Sequence, residues 1–176
     1  MKHHPRNPRA RGGRKRQPSR RDPLIGFEAP VTIEQIGARG DGIAHVQSPD
    51  GKSVLVYVDC VLPGDDVRVA LRQKRGDGYG AEVVEEISRT AAYNSPRCSH
   101  FKECGGCALQ HMDDGAYRIW KRDKAKVAVQ RTGLSADEAE ELVAEVEVSP
   151  PASRRRAGFS VHVGETGVYV GFHGRF

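Results

Sequence analysis

Between residues 26 and 88 the chain is cut into five short stretches of alternating apolar and polar residues, each bounded by Gly, Pro or Asp. VTIEQI (31–36), GARGDGIAHV (37–46, opening on a glycine-rich turn), KSVLVYV (52–58), DVRVALRQ (66–73) and GYGAEVVEEI (78–87) are separated by turns such as SPDG (48–51) and LPG (62–64). Alternation at period two places apolar side chains on one face of an extended chain, so each stretch reads as a half-buried strand. Strands this short have one way to bury that face without a second layer, which is to curl into a small closed barrel.

Five-stranded barrels of the OB type are common nucleic-acid readers, although a fold class does not by itself establish a function. The expected fold is therefore mainly β, with a five-stranded OB-like barrel over residues 26–90. A cysteine loop follows at 91–112. Helical composition then begins at Asp113 or Asp114 and runs to about Arg131, with Gly133 as a stop signal. Ser135 with Glu138 three residues later forms a capping box for a second, short helix ending near Val143. After Pro150-Pro151 the pattern returns to β, as AGFSVHV and GVYVGFH joined by the turn GETG (164–167). Two strands are marginal alone, so residues 113–176 read as an incomplete domain.

Charge is unevenly spread. The net charge of +5 combines nine Lys/Arg against one acid in residues 1–23 with 19 against 22 in the remainder. MKHHPRNPRARGGRKRQPSRRDP is rich in Arg, Pro and Gly and nearly free of apolar side chains. Such a segment cannot offset the entropy of ordering, so residues 1–25 read as a disordered basic arm. Its cations would neutralise phosphates and release counterions, giving affinity without sequence preference; a solubilising tail is the plainer alternative. No apolar run approaches the roughly 20 residues that span a bilayer, and no hydrophobic segment follows the basic terminus as a secretory signal requires. Four cysteines in that setting point to a reducing, cytoplasmic compartment, where clustered thiols are ligands or catalysts more often than disulfides. Neither a membrane nor an obligate protein partner is implied.

Three of the four cysteines lie in CSHFKECGGCALQH (98–111), spaced Cys98-x5-Cys104-x2-Cys107. Gly105-Gly106 lets the backbone fold tightly between two ligands and offers unhindered amides to sulfur. Soft thiolates select zinc, Cu(I) or iron–sulfur clusters over hard cations. Zinc favours paired CxxC or Cys/His motifs, whereas a [4Fe–4S] cluster commonly takes three thiolates from a compact loop and one from a distant segment. The spacing favours a cluster and leaves zinc open. Within the chain a fourth ligand would have to be Cys60, His100 or His111. A lone cysteine closing a strand, as Cys60 does, is more often a small buried hydrophobe.

The succession of barrel, cysteine loop and arginine run resembles the N-terminal part of the TRAM-domain RNA uracil-5 methyltransferases, iron–sulfur enzymes of the class I S-adenosylmethionine-dependent type. QIGARGDGIAHV with VYVDCVLPGDDVRV is similar to a TRAM domain, and SPRCSHFKECGGCALQHM to the family's iron–sulfur loop. SRRRAGFSVHV with GVYVGFH resembles the start of the α/β central domain. The likeness runs from about residue 28 to the end and is most specific in the cysteine loop. It implies that Cys98, Cys104 and Cys107 ligate a [4Fe–4S] cluster whose fourth cysteine lies beyond Phe176. It implies RNA as partner, ribosomal or transfer, and S-adenosyl-L-methionine as methyl donor in the complete family member; the long basic arm favours ribosomal (23S) RNA of the two. The family's catalytic domain supplies a cysteine that attacks C6 of the uracil and a base that removes the C5 proton. Nothing here matches that domain: no glycine-rich loop follows a strand and opens a helix, and no cysteine follows position 107. Without the covalent thiolate adduct, C5 is not nucleophilic. The chain alone is expected to be inactive, as the RNA-binding and cluster-bearing portion of such an enzyme. The alternative is a stand-alone RNA-binding TRAM protein without catalysis.

RNA contacts on such a barrel would be basic and aromatic side chains on an exposed face. Arg39, Arg72, Lys74, Arg75 and Tyr79 are the candidates there, against an ordinary solvated rim. Arg154, Arg155 and Arg156 form a run where the resemblance implies an RNA-holding basic residue, although one of them would equally pair with Glu145 or Glu147. The basic residues of the first helix, Arg118, Lys121, Arg122, Lys124 and Lys126, read as an ordinary charged helix face.

Overall fold

A computed structural model describes residues 22–150 and 152–175. Most of the expected basic arm lies outside the described residues. Its last four, 22–25, are not a free tail: the Gly26 amide donates to Leu71 O at 2.7 Å and the Tyr79 hydroxyl to Asp22 at 2.7 Å, which ties this turn to the sheet.

Six strands follow: β1 (Glu28–Thr32), β2 (Gln35–Ile36), β3 (Gly42–Gln47), β4 (Ser53–Val58), β5 (Asp66–Arg75) and β6 (Gly78–Ser88). They form one sheet in the order β1-β5-β6-β4-β3-β2, antiparallel except for β4 and β6, which run parallel from Val56–Tyr79 to Val58–Ala81. The expected closed five-stranded barrel is thus corrected to a six-stranded mixed sheet. The first expected strand, VTIEQI, is broken at Ile33 and Glu34. The Ile33 amide donates to Asp65 O at 2.9 Å beside β5, and the Glu34 amide to Ile43 O at 2.9 Å beside β3. The two edges of the sheet are therefore consecutive pieces of one bent segment, and the sheet curls without a ladder to close it.

The curl encloses Val31, Ile33, Ala44, Val46, Val56, Val58, Val67, Val69 and Leu71, all buried. Burying each Val, Leu or Ile is worth about 1.5–3 kcal/mol before conformational entropy is subtracted. Gly42 sits where a Cβ would come within 2.3 Å of the Val61 side chain, so only glycine lets β3 approach the turn that follows β4. That turn is pinned by Asp65, whose buried carboxylate accepts from the Leu62 amide at 2.9 Å, the Thr90 amide at 2.8 Å and the Arg89 guanidinium at 2.7 Å.

Helix α1 (Asp114–Gln130) starts at Asp113, which accepts from the Gly115 and Ala116 amides at 2.9 and 3.0 Å. Helix α2 (Ala136–Leu142) carries the expected capping box of Ser135 and Glu138. Among the described residues no helix is long and apolar enough to cross a membrane. A second small core, built on Ile36, Leu62 and Met112 with Tyr93, Leu109, Tyr117 and Trp120 against them, joins sheet, cysteine loop and α1. Arg122 and Lys126 are not free on the helix surface: both pair with Glu140 of α2, Lys126 at 3.0 Å. Strands β7 (Ser160–Gly164) and β8 (Gly167–Gly171) form a separate antiparallel ribbon.

Candidate functional site

The segment 94–112 has no regular ladder, yet it is held at both ends. The Asn94 amide donates to His111 O at 2.7 Å, and Tyr93 bridges to Met112. His111 is buried between the rings of Tyr93 and Phe101, at centroid distances of 5.9 and 5.1 Å. One ring nitrogen, Nε2, lies 3.3 Å from Val61 O, while Nδ1 has no partner. Burial pushes this imidazole below its ordinary pKa, with the nearby Arg89 and Arg175 charges adding to the effect, against the Val61 carbonyl and Asp65. His111 is thus a wedge that fastens the loop to the sheet.

Within the loop, Gln110 reaches two of the cysteine positions. Its Oε1 accepts from the Cys98 amide at 3.0 Å and its Nε2 lies 3.9 Å from Cys107 Sγ. The Gly106 amide points at Cys104 Sγ, 3.3 Å away, as the glycine pair predicts. A Cβ on Gly105 would stand 3.0 Å from His173 O, and one on Gly106 would stand 3.1 Å from the Phe172 ring. The turn between Cys104 and Cys107 is therefore glycine because residues 172–174 pack directly on it. Cys98 and Cys107 are exposed and Cys104 partly so, all three as free thiols.

Among the described residues no three Cys, His, Asp or Glu side chains converge closely enough to hold a metal ion. The donor set itself, three thiols at least partly accessible, suits a soft metal or an iron–sulfur cluster, although only the Gly106 amide faces a sulfur, since that of Gly105 donates to His173 O at 2.9 Å. Cys60 stands apart from it. It adopts a left-handed backbone with φ of 61°, is half-buried, and has its thiol pKa raised mainly by that burial. His100 is exposed within the loop.

Beside the loop runs an open polar groove of about 470 Å³. One wall is the sheet, with Tyr57, Arg72, Arg75 and Gly80; the other is the cysteine loop at Gly105 and Ala108, with Arg39 and Arg175 also lining it. The turn bearing Arg39 touches the loop directly: a Cβ on Gly40, at φ of +89°, would meet Ala108 Cβ at 2.7 Å. Three of the arginines expected to meet RNA are thus brought together. They are not unopposed: Arg75 pairs with Asp41 at 2.6 Å and lies over the Tyr57 ring, and Arg72 pairs with Glu82 at 2.8 Å. Asp59 also lines the groove, its pKa raised by burial and by Asp41, against the pull of Arg175. Tyr57 and Arg175 were not picked out from sequence. Tyr57 alternates like any strand residue, and Arg175 lies a hundred residues further on.

The remaining expected contacts fare differently. Tyr79 is 5% exposed, its hydroxyl is held by Asp22, and the Lys74 ammonium lies 4.2 Å from its ring centroid. The ring thus belongs to the core, with Lys74 over it, and does not lie on an exposed face. Arg154, Arg155 and Arg156 are exposed in an irregular stretch, and among the described residues none forms an ion pair. Glu145, expected as a partner for one of them, instead lies 3.8 Å from Arg122.

No family model matches the chain. Curated proteins do. An uncharacterized RNA methyltransferase of Brucella suis biovar 1 is 38% identical over 143 residues, covering 81% of this chain and 31% of that protein. A 23S rRNA (uracil(1939)-C(5))-methyltransferase of Chromohalobacter salexigens is 37% identical over 146 residues, or 82% of this chain and 29% of that protein. The protein of the same description from Halomonas elongata is 33% identical over 162 residues, or 92% of this chain and 32% of that protein. The chain spans about a third of the length of the curated relatives it matches.

Proposed function

Because this chain belongs to the RNA methyltransferase family, we propose that it is the RNA-binding and cluster-bearing portion of an S-adenosylmethionine-dependent enzyme that methylates C5 of a uracil in 23S ribosomal RNA. In this reading residues 26–90 are a TRAM-type domain, residues 91–112 the iron–sulfur loop, and residues 113–176 part of a central domain. Cys98, Cys104 and Cys107 supply three cluster ligands, and the fourth comes from outside these 176 residues. A cluster here would hold the loop in one shape; methyl transfer moves no net electrons and needs none from it.

The observation that carries the reading is the shared wall between the cysteine loop and the groove of Arg39, Arg72 and Arg75. A guanidinium groove neutralises phosphates and gains affinity from counterion release. The cationic faces here are partly balanced by Asp41 and Glu82, which favours a strand of defined path over indiscriminate binding. The basic arm adds the sequence-independent share. Catalytic residues for methyl transfer are matched nowhere in the chain, so the isolated polypeptide binds RNA and transfers no methyl group.

Binding of a fluorescein-labelled uridine-containing ribosomal RNA stem-loop, followed by anisotropy across a salt series, tests this. Arg39→Gln is expected to weaken binding and to reduce the salt slope by about one. Binding that ignores both salt and Arg39 would sink the reading. Anaerobic reconstitution with iron and sulfide is expected to give a brown protein; a colourless one with stoichiometric zinc would replace the cluster by a zinc site. Labelled methyl groups appearing in RNA from the isolated chain would overturn the predicted inactivity.

A further inference from the structure

Arg175 is joined to the cysteine loop through both its side chain and its backbone. Its Nε donates to Phe101 O at 3.0 Å, and a terminal nitrogen donates to Cys107 O. Its guanidinium carbon lies 4.8 Å from the Phe101 ring centroid, and the third nitrogen stands 4.0 Å from Asp59, in the turn after β4. Its own amide donates to Glu103 O at 3.0 Å, next to a bridge between Gly174 and Cys104. The side chain is only 7% exposed. A planar fork with several fixed donors can bind two carbonyls at once while facing a carboxylate, which a lysine ammonium on a flexible stem cannot do with the same register.

We propose that Arg175 is the positioning residue of the cysteine loop: it fixes the Phe101 and Cys107 carbonyls and docks them on Asp59, so that the three thiols keep their spacing before any metal arrives. The role in loading a cluster rests on the cluster reading above; the role in holding the loop does not. Both carbonyls it binds come from the backbone on either side of Cys104, so releasing them frees the segment that carries the CxxC pair. Phe101 is buried with His111 beside it, which gives Arg175 a rigid surface to work from. The loop is thus clamped at three places: by His111 at its end, by the glycine turn under Phe172, and by the Arg175 fork.

Two measurements on the full chain separate the parts of this proposal. In the metal-free protein, iodoacetamide labelling of each cysteine is followed by mass spectrometry. In Arg175→Met, Cys104 labelling is expected to accelerate severalfold relative to the exposed Cys98, while the urea midpoint reported by the sheet stays unchanged. Arg175→Lys, which keeps the charge but loses the planar fork, is expected to fall between. Equal Cys104 rates in all three proteins would overturn the positioning role. In parallel, each protein is reconstituted anaerobically with iron, sulfide and a small added thiol as fourth ligand. Loss of partners that orient ligands lowers metal affinity by about 10- to 100-fold, and Arg175→Met is expected to show that loss in bound iron. Wild-type protein that takes up no iron, together with accelerated Cys104 labelling in the variant, would refute the cluster reading and leave the positioning role standing.

Discussion

The six-stranded sheet and the β7–β8 ribbon are written in the same alternating pattern, yet they end in opposite conditions. In the sheet the apolar face is closed over, with Val56, Val58, Val67, Val69 and Leu71 fully buried. In the ribbon, Val161 pairs with Val170 and Val163 with Val168, so four valines share one face, and they are 64–74% exposed. Period two specifies an extended strand with a preferred side; it says nothing about what lies against that side. The sheet supplies its own cover by bending at Ile33–Glu34. The ribbon has two strands and no bend, and among the described residues it is anchored through 172–175 against the cysteine loop.

The contrast is most exposed to attack at Asp65. Asp65→Ala leaves Arg89 and two amides without their buried acceptor, and loss of one partner of a buried pair costs about 3–5 kcal/mol. Urea denaturation followed by far-UV circular dichroism should show the sheet close to unfolding, and an unchanged midpoint would mean the turn is not anchored as described. Leu71→Ala should cost about 2–5 kcal/mol through lost burial and a residual cavity. Next comes the junction between the two regions. His111 has a folded pKa below its unfolded value of about 6.5. It therefore contributes full stability above that pH and loses it as the pH falls towards the folded value. The urea midpoint should drop between pH 7.5 and pH 5.5, and His111→Phe should remove that drop. Asp59 works in the opposite sense, since its raised pKa favours the folded state on the acid side, so the difference between wild type and variant isolates His111. The smallest effect belongs to the ribbon: Val170→Thr should move the midpoint by no more than about 0.5 kcal/mol. A large loss there would show that the valine face is covered after all.

Most strands were legible because alternation and turn residues coincide; α1 was legible from its composition and the Gly133 stop, and α2 from the capping box of Ser135 with Glu138. The break at Ile33–Glu34 was not, because apolar–polar alternation continues through a bend when both flanks face the same core. The burial of Tyr79 was not legible for a related reason. An aromatic on a strand next to Lys74 and Arg75 has the composition of a binding face, and only the position of Asp22 shows the hydroxyl turned inward. The cysteine triad was visible in its spacing. The groove was not, since its walls come from residues near 39, 57, 72–80, 105–108 and 175. Arg175 carries no local signal at all: a single arginine near two glycines announces neither the carbonyls it will hold nor the aspartate across from it.

The pairing of β1 with β5 has a consequence for how the chain leaves the ribosome. Glu28 is matched with Ala70 and Thr32 with Asp66, so the first strand made must wait for residues 66–70 before it has a partner. The parallel match of Val56 with Tyr79 leaves the second edge of β4 unpaired for longer still, until the β5–β6 hairpin exists. At about 5–20 residues per second, the early segment emerges with its apolar face unshielded for seconds. It has only the β2–β3–β4 meander to fold with meanwhile. The sheet is therefore finished from its downstream side, and a pause in translation before residue 88 would extend the interval in which its first strand is open to other chains.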